Sequence, residues 1–405
     1  MKVSFGHLPV RLSKNKPFDL IIGIPSYNEA DTIPFVVKQV DIGINKYFPD
    51  SKAIIINADN NSPDNTKKAF LKTKTKTPKI YISTPKEIRG KGNNVYNILK
   101  KAQELNAKNT AIIDADLKSI TPEWVKKLIY PVKYNNYDFV LPLYERNEYD
   151  GSITNHICYP LIYGLLGVNA RQPIGGEFSF SKEFVDYLLS KKWDKTTKNY
   201  GVDIFLTLNA ILNNFKIAQV NLHKKVHKPS APKLGPMFFQ VAASCFSLLV
   251  KNKKIWLKKI KSYTPLIIYK NKNHYNPQKL PVDYKDLKQK SLYEFSLYYK
   301  IIKECLGKDI YGKLEKMYFE KKILNIKTDL WMKILYSMLW NYDNKKMPKE
   351  KIIRALRPLY FGRTVTFIKQ TLELSSKESE LAIQKQAEYF YKHRSYLLKK
   401  YKSIT

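Results

Sequence analysis

Between residues 19 and 143 the chain alternates short β-rich apolar runs with longer helical patterns, the signature of βα units laid on a largely parallel sheet. The first run is Leu20-Ile21-Ile22-Gly23-Ile24, closed by Pro25 and the polar Ser26-Tyr27-Asn28-Glu29, with a helix expected over 31–47. A second strand, Ala53-Ile54-Ile55-Ile56-Asn57-Ala58, leads into Asp59-Asn60-Asn61-Ser62-Pro63-Asp64, a turn-rich cluster able to cap the next helix. Ile80-Tyr81-Ile82 reads as a third strand. Gly90-Lys91-Gly92 then precedes a helix over 93–105, and Ala111-Ile112-Ile113-Asp114 makes a fourth strand. In open α/β sheets the ligand lies beyond the carboxyl ends of the strands, which is where these polar clusters fall.

Residues 138–250 mix strands, loops and helices. After 251 the pattern changes: a Pro/Asn/Lys/Tyr-rich link over 262–285 leads to amphipathic stretches at 293–305, 330–342 and 376–400. The expected division is an α/β domain over 1–260, with one half at 18–143 and another at 144–250, followed by a helical region over 261–405. A chain of 405 residues with 44% hydrophobic content can bury a large core. The apolar run 238–250 contains Gln240, Ser244 and Ser247 and is shorter than the roughly 18 to 20 residues that span a bilayer, so a buried helix is expected there. Cys158, Cys245 and Cys305 show no paired spacing. The opening Met1-Lys2-Val3-Ser4-Phe5 lacks the continuous apolar core of a signal peptide, and a cytoplasmic protein is expected.

Asp114 and Asp116 lie two residues apart at the end of a buried strand, so their side chains can lean to one side and share a divalent ion. Hard oxygen ligands suit magnesium or manganese, which would bridge a diphosphate and act as a Lewis acid toward a departing phosphate. Asp-x-Asp alone is a weak signal, better explained by capping of the Thr121-Pro122-Glu123 helix region or by a solvent-facing pair. Its neighbours add weight. Pro25 to Glu29 supply a rigid turn with a carboxylate for a nucleoside, and Asp59 can serve likewise. Gly90-Lys91-Gly92 pairs close backbone approach with an ammonium, as a diphosphate requires.

Together these motifs resemble a known family. Ile24-Pro25-Ser26-Tyr27-Asn28-Glu29-Ala30, Gly90-Lys91-Gly92-Asn93 and Asp114-Ala115-Asp116-Leu117 are joined by Gln172-Pro173-Ile174-Gly175-Gly176-Glu177 and Tyr200-Gly201-Val202-Asp203-Ile204. His227 and Leu234-Gly235-Pro236-Met237 complete the set. The chain is similar, over about 18–250, to the retaining GT-A glycosyltransferases that make glucosylglycerate and glucosyl-3-phosphoglycerate. The resemblance implies a metal held by Asp116 and His227, with His223 as a competing histidine. It implies donor contacts at Pro25, Asn28, Glu29, Asp59, Lys91 and Asp114. Asp203 falls where the family holds a carboxylate near the acceptor hydroxyl, and Glu177 is the second catalytic candidate. Retention at the anomeric carbon is implied too. Of its two routes, a covalent glycosyl-enzyme on a carboxylate and same-face attack in which the departing diphosphate helps take the acceptor proton, the second is preferred because no additional acid is placed as a nucleophile.

At the acceptor end the sequence departs from the phosphoglycerate-using members. Their Gly-Arg-hydrophobic-Thr loop corresponds to Gly151-Ser152-Ile153-Thr154, which lacks the arginine, and Pro229 replaces an asparagine after the histidine. A serine cannot reproduce a bidentate guanidinium clamp. Gly151, Ser152 and Thr154 are therefore expected around an unphosphorylated D-glycerate, with Arg171 or Arg146 on its carboxylate; 3-phosphoglycerate and a mannosyl product remain alternatives. The donor nucleotide, uridine, guanosine or adenosine, stays open.

The net charge of +36 invites two other readings. One is a nucleic-acid-binding protein, but the lysines are scattered along the chain and the strand-end motifs would go unexplained. The other is a transferase acting on a lipid phosphate or surface polysaccharide, with basic residues against a membrane. The expected partners are a nucleotide sugar and a small acidic acceptor, without nucleic acid or stable membrane insertion. The amphipathic tail gives room for a homodimer.

Overall fold

The computed structural model describes residues 2–5, 17–228, 234–269 and 284–403. In chain order the elements are β1 (Lys2–Phe5), β2 (Leu20–Ser26), α1 (Ile33–Tyr47), β3 (Ala53–Asp59), α2 (Thr66–Lys72), β4 (Lys79–Ser83), α3 (Lys91–Glu104), β5 (Asn109–Ile112), α4 (Pro122–Tyr134) and β6 (Phe139–Leu143). A π-helical turn, Thr154–Cys158, runs into α5 (Tyr159–Leu166), followed by β7 (Phe178–Ser181), α6 (Lys182–Leu189), α7 (Val202–Leu212), β8 (Ile217–Asn221), α8 (Leu234–Lys251), α9 (Lys253–Trp256) and β9 (Leu266–Ile268). The rest is helical: α10 (Lys285–Glu315), α11 (Thr328–Asn344), α12 (Lys349–Thr371), α13 (Ser376–Lys392) and α14 (Ser395–Lys402).

Compactness divides the chain into two units, and the division is not the expected cut near 260. One unit comprises Met1–Glu145, Gln172–Leu234 and Pro265–Tyr275; the other comprises Arg146–Arg171, Gly235–Thr264 and Asn276–Thr405. The segments 146–171 and 235–264 thus go with the helical tail.

The first unit is built on a sheet of order β1-β4-β3-β2-β5-β7-β6-β8-β9, parallel except where β1 and β7 run against their neighbours. Every residue of β2 and β3 is buried, as expected of strands covered by helices on both faces. The amphipathic α1 and α4 turn Val36, Val40, Trp124 and Leu128 into one core with Ile22, Ile24 and Ile55. This is the α/β class read from the sequence.

Pro25 does not close β2 but lies inside it, opposite Ala58 of β3. The carbonyl of Gly23 faces β5, where it accepts the amide of Ile113, so Pro25 two residues later faces the same way. The β2–β5 ladder ends at the pair Gly23 and Ile112. The missing N–H of proline thus falls just past the last hydrogen-bonded pair, where it costs nothing.

Sheet register sets the rest of the first unit. Because β7 is antiparallel to β5, with Phe178 opposite Ile112, the residue before β7 meets the residues after β5. Parallel pairing of Leu143 with Asn221 makes the chain leave β6 and β8 on that same edge.

The second unit is helical. Tyr159 of α5 shares a small core with Phe367 of α12 and Ile383 and Ala387 of α13, and the indole of Trp331 donates to the carbonyl of His156 at 2.8 Å. The run 238–250 is inside α8, a mostly buried helix as expected. The stretch expected as one helix over 376–400 is two, separated at His393 and Arg394. Much of the 262–285 link lies outside the described residues, as do Pro9, Lys14, Lys16 and Pro229.

Candidate active site

Five ionisable side chains converge at the carboxyl edge of the first unit's sheet. Lys91, first residue of α3, places its ammonium 2.9 Å from Oδ1 of Asp114 and 3.5 Å from Oδ1 of Asp203 in the first turn of α7. Lys225, on the segment after β8, sits 2.8 Å from Oε2 of Glu177 and 3.6 Å from Oδ2 of Asp114, and donates to the carbonyl of Gly175 at 2.9 Å. The Tyr144 hydroxyl, just beyond β6, donates to Glu177. The cluster is layered: Lys91, Asp114 and Asp203 keep side-chain exposures of 19, 20 and 14%, whereas Lys225 keeps 6% and Glu177 none. Solvent reaches parts of the first three side chains, and the other two lie beneath them.

The electrostatics follow from burial and these contacts. Burial pushes Glu177 up to about 7, opposed by Lys225 and reinforced by Asp114. Burial also raises Asp203 against the pull of Lys91. Asp114 would rise for the same reason, but Lys91 and Lys225 outweigh burial and hold it below the usual carboxylate range. For Lys91, the three carboxylates overcome desolvation and keep the ammonium charged. Oδ1 of Asp203 is buried and accepts no hydrogen bond, with the charge of Lys91 at 3.5 Å and, more weakly, that of Lys225 acting on it.

Backbone geometry makes this packing possible. At Gly176, with φ +99°, a Cβ would lie 2.6 Å from Oδ2 of Asp114 and 2.8 Å from Nζ of Lys225. The glycines flanking Lys91 do something other than expected. A Cβ on Gly92 would lie 2.0 Å from the carbonyl oxygen of Thr197, and one on Gly90 2.4 Å from that of Lys198. The amides of Gly92 and Asn93 donate to Asn199 and Lys198. The close backbone approach is therefore made by the 197–199 loop, not left for a diphosphate, and it fixes where Lys91 begins its helix.

A second constellation surrounds Asp116. The amide of Lys118 donates to the carbonyl of Val226 at 2.8 Å, and the amide of Val226 donates to Oγ of Ser119 at 2.8 Å. These bonds tie the loop carrying Asp116 to the one carrying His227. Nδ1 of His227 lies 2.7 Å from the carbonyl of Lys228. A carbonyl can only accept, so Nδ1 carries a hydrogen, and in the neutral ring the lone pair falls on Nε2. Lys228 then pairs with Glu29 at 2.8 Å and Asp31 at 2.7 Å and donates to the carbonyl of Asn28 at 3.2 Å. Burial raises Glu29, opposed by Lys228 and Thr32, with Asp116 adding to the rise. The competing His223 is turned elsewhere, 2.9 Å from Nζ of Lys127. Among the described residues no group of three or more His, Cys, Asp or Glu side chains is arranged to hold a metal.

Asp59 is a structural knot. Its carboxylate accepts from the hydroxyls of Ser26, Ser62 and Tyr81 and from the amide of Ser62. It thereby shapes the loop in which Asn28, at φ +60°, offers its amide to Ser62.

The expected acceptor residues all lie in the second unit and are engaged there. Ser152 shares a hydrogen bond with Tyr360, and Thr154 is buried in the π-helical turn. Arg171, expected on the acceptor's carboxylate, makes a bidentate pair with Glu380 at 2.7 and 2.8 Å. Gly151, at φ +71°, lies under the guanidinium of Arg146.

Lys225, Tyr144 and Lys228 went unnoticed in the sequence. The signal was there for two of them: in His223-Lys224-Lys225-Val226-His227-Lys228 the cations alternate with histidines immediately after a strand.

Comparison with known proteins bears on this geometry. Residues 21–185 match the model of glycosyl transferase family 2. That segment holds β2 through β7 and carries Asp114, Asp116 and Glu177. Among solved structures, glucosyl-3-phosphoglycerate synthase from Mycobacterium tuberculosis, in complex with Mn2+, UDP and glucosyl-3-phosphoglycerate, is similar at 26% identity and a TM-score of 0.47, over 57% of this chain and 80% of that one. The same synthase with Mn2+, UDP-glucose and glycerol 3-phosphate aligns at 25% identity and a TM-score of 0.45, again over 57% and 80%. No curated protein sequence matches the chain.

Proposed function

We propose that this protein is a retaining hexosyltransferase that moves glucose from a nucleotide sugar to D-glycerate in the cytoplasm, giving the compatible solute glucosylglycerate. The observation that carries the reading is the layered cluster at the sheet edge, in which Lys91 is held charged between Asp114 and Asp203. The family match over 21–185 supports the reaction class.

Asp116 and Nε2 of His227 fit a magnesium or manganese ion. One is a hard carboxylate, the other a neutral imidazole with its lone pair directed by the Nδ1 bond to Lys228. With only two such ligands, remaining positions suit diphosphate oxygens and water. When bound, the ion neutralises charge on the diphosphate.

The chain's own residues then act as follows. Lys91 adds a fixed positive charge beside the leaving diphosphate, and Asp114 orients that ammonium. Asp203, with an oxygen that accepts no hydrogen bond, receives one from the acceptor hydroxyl and aims its oxygen at the anomeric carbon. The bond from that carbon to the diphosphate breaks, the bond to the acceptor oxygen forms on the same face, and the proton passes to the departing diphosphate. Glu177 and Lys225 touch no substrate; they position Asp114 from beneath.

The test is an activity matrix of UDP-, GDP- and ADP-glucose and UDP-mannose against D-glycerate and 3-phosphoglycerate, with the product anomer read by NMR. Retention with D-glycerate is expected. Turnover with 3-phosphoglycerate but none with D-glycerate overturns the acceptor assignment, and inversion overturns the same-face route.

A further inference from the structure

The helical unit gathers two segments that are far more basic than the chain as a whole. In 251–261 six of eleven residues are lysines, and in 392–402 five of eleven are lysine or arginine. Neither segment contains an acid, although the whole chain has 35 acids to 71 cations. The fold places the two side by side. Arg394 donates to the carbonyls of Trp256 and Lys258, Tyr391 donates to the carbonyl of Ile260, and Trp256 meets Tyr401 edge-on with ring centroids 5.5 Å apart. Lys251, at the end of α8, Lys254 and Ile255 on α9, and Lys258, Lys259 and Lys261 just beyond it are all exposed. Lys392, Lys399 and Lys402 are exposed on the adjoining helices. Among the described residues, the acids paired with cations of these segments are Asp343, which takes Lys253, and Glu388, which takes Lys392.

We infer that this face is a peripheral docking surface for a bilayer containing anionic lipid. The occupant is chosen by charge and by what the face lacks. Lysines clustered around an exposed isoleucine suit a plane of lipid headgroups, where each cation adds to the attraction and a short apolar side chain can enter the interface. Nucleic acid would instead call for aromatic rings free to stack and for arginine forks. Here Trp256 and Tyr401 are buried, Tyr391 stacks on Tyr163, Tyr396 lies under Lys400, and the lone arginine is spent on backbone carbonyls. No described helix is long and apolar enough to cross a membrane, so the contact is one of surface adhesion.

The test is co-sedimentation of the full chain with vesicles of phosphatidylcholine alone or of phosphatidylcholine with phosphatidylglycerol. Binding to the anionic vesicles only is expected, weakened by added salt. A variant carrying Lys254→Glu, Lys258→Glu, Lys259→Glu and Lys261→Glu should bind about tenfold or more weaker. A control with the same charge change on the other unit, Lys68→Glu, Lys72→Glu, Lys74→Glu and Lys76→Glu, should bind like the parent. Circular dichroism verifies that both variants fold, and Ile255→Ser supplies a milder substitution should the first not. Equal loss in both quadruple variants, equal binding to neutral vesicles, no binding at all, or displacement from vesicles by an equal charge of single-stranded RNA would each overturn the inference.

Discussion

At the scale of single residues, the two constellations make separable demands. Asp116→Ala and His227→Ala should each lower kcat/KM by about a hundredfold or more, with the loss partly relieved by raised manganese, as steady-state titrations would show. Gly176→Ala acts differently, since its Cβ would enter the space of Asp114 and Lys225 at a backbone angle disfavoured for alanine. It should cost about 1–3 kcal/mol in urea unfolding and disturb the cluster without removing any of its members. Glu177 has a pH signature. Its folded value of about 7 lies above its ordinary 4.5, so the native state holds its proton longer than the unfolded chain. Stability from this group is present below about 4.5 and is lost as pH rises toward 7. Across that window the parent should lose stability relative to Glu177→Gln, and a flat difference between them would contradict the assignment.

At the scale of elements, Arg171→Ala tests whether the α5–β7 connection binds acceptor or holds helices together. Because Arg171 is paired with Glu380, the expected result is about 1–3 kcal/mol of lost stability, reduced from that of a fully buried pair because Glu380 is partly exposed, with the acceptor KM unchanged. This is also where the sequence was least legible. Strands with near-continuous apolar runs, such as β2 and β3, announce themselves, and so do the polar clusters that follow strands, which is why Lys91 and Asp114 stood out; Asp203, in the first turn of α7, was reached only through the family resemblance. Nothing in local pattern says that Arg171 has a partner more than two hundred residues away, or that Gly90 and Gly92 admit a loop of backbone instead of a phosphate. Periodicity reports which face is buried but not against what. Lys225 was missed for a related reason: in a chain so rich in lysine, one buried lysine carries no compositional mark.

At the scale of the whole molecule, the division into units predicts how the chain tolerates cutting. Ending it at residue 264 would keep 146–171 and 235–264 but remove α10 to α14, against which Tyr159, His156 and Trp256 are packed. Such a fragment should bind a hydrophobic dye and lose a cooperative thermal transition, even though it retains the entire segment matched to the glycosyltransferase family. Pro25 has a consequence at this scale as well. The order β3-β2-β5 makes the gap between β2 and β5 the place where strand connections diverge to either side. A residue with an N–H at position 25 would let the ladder continue one more rung; proline denies it that rung. The crevice is kept open by the absence of a hydrogen, and any other residue there would let the two strands zip further together at the mouth of the site.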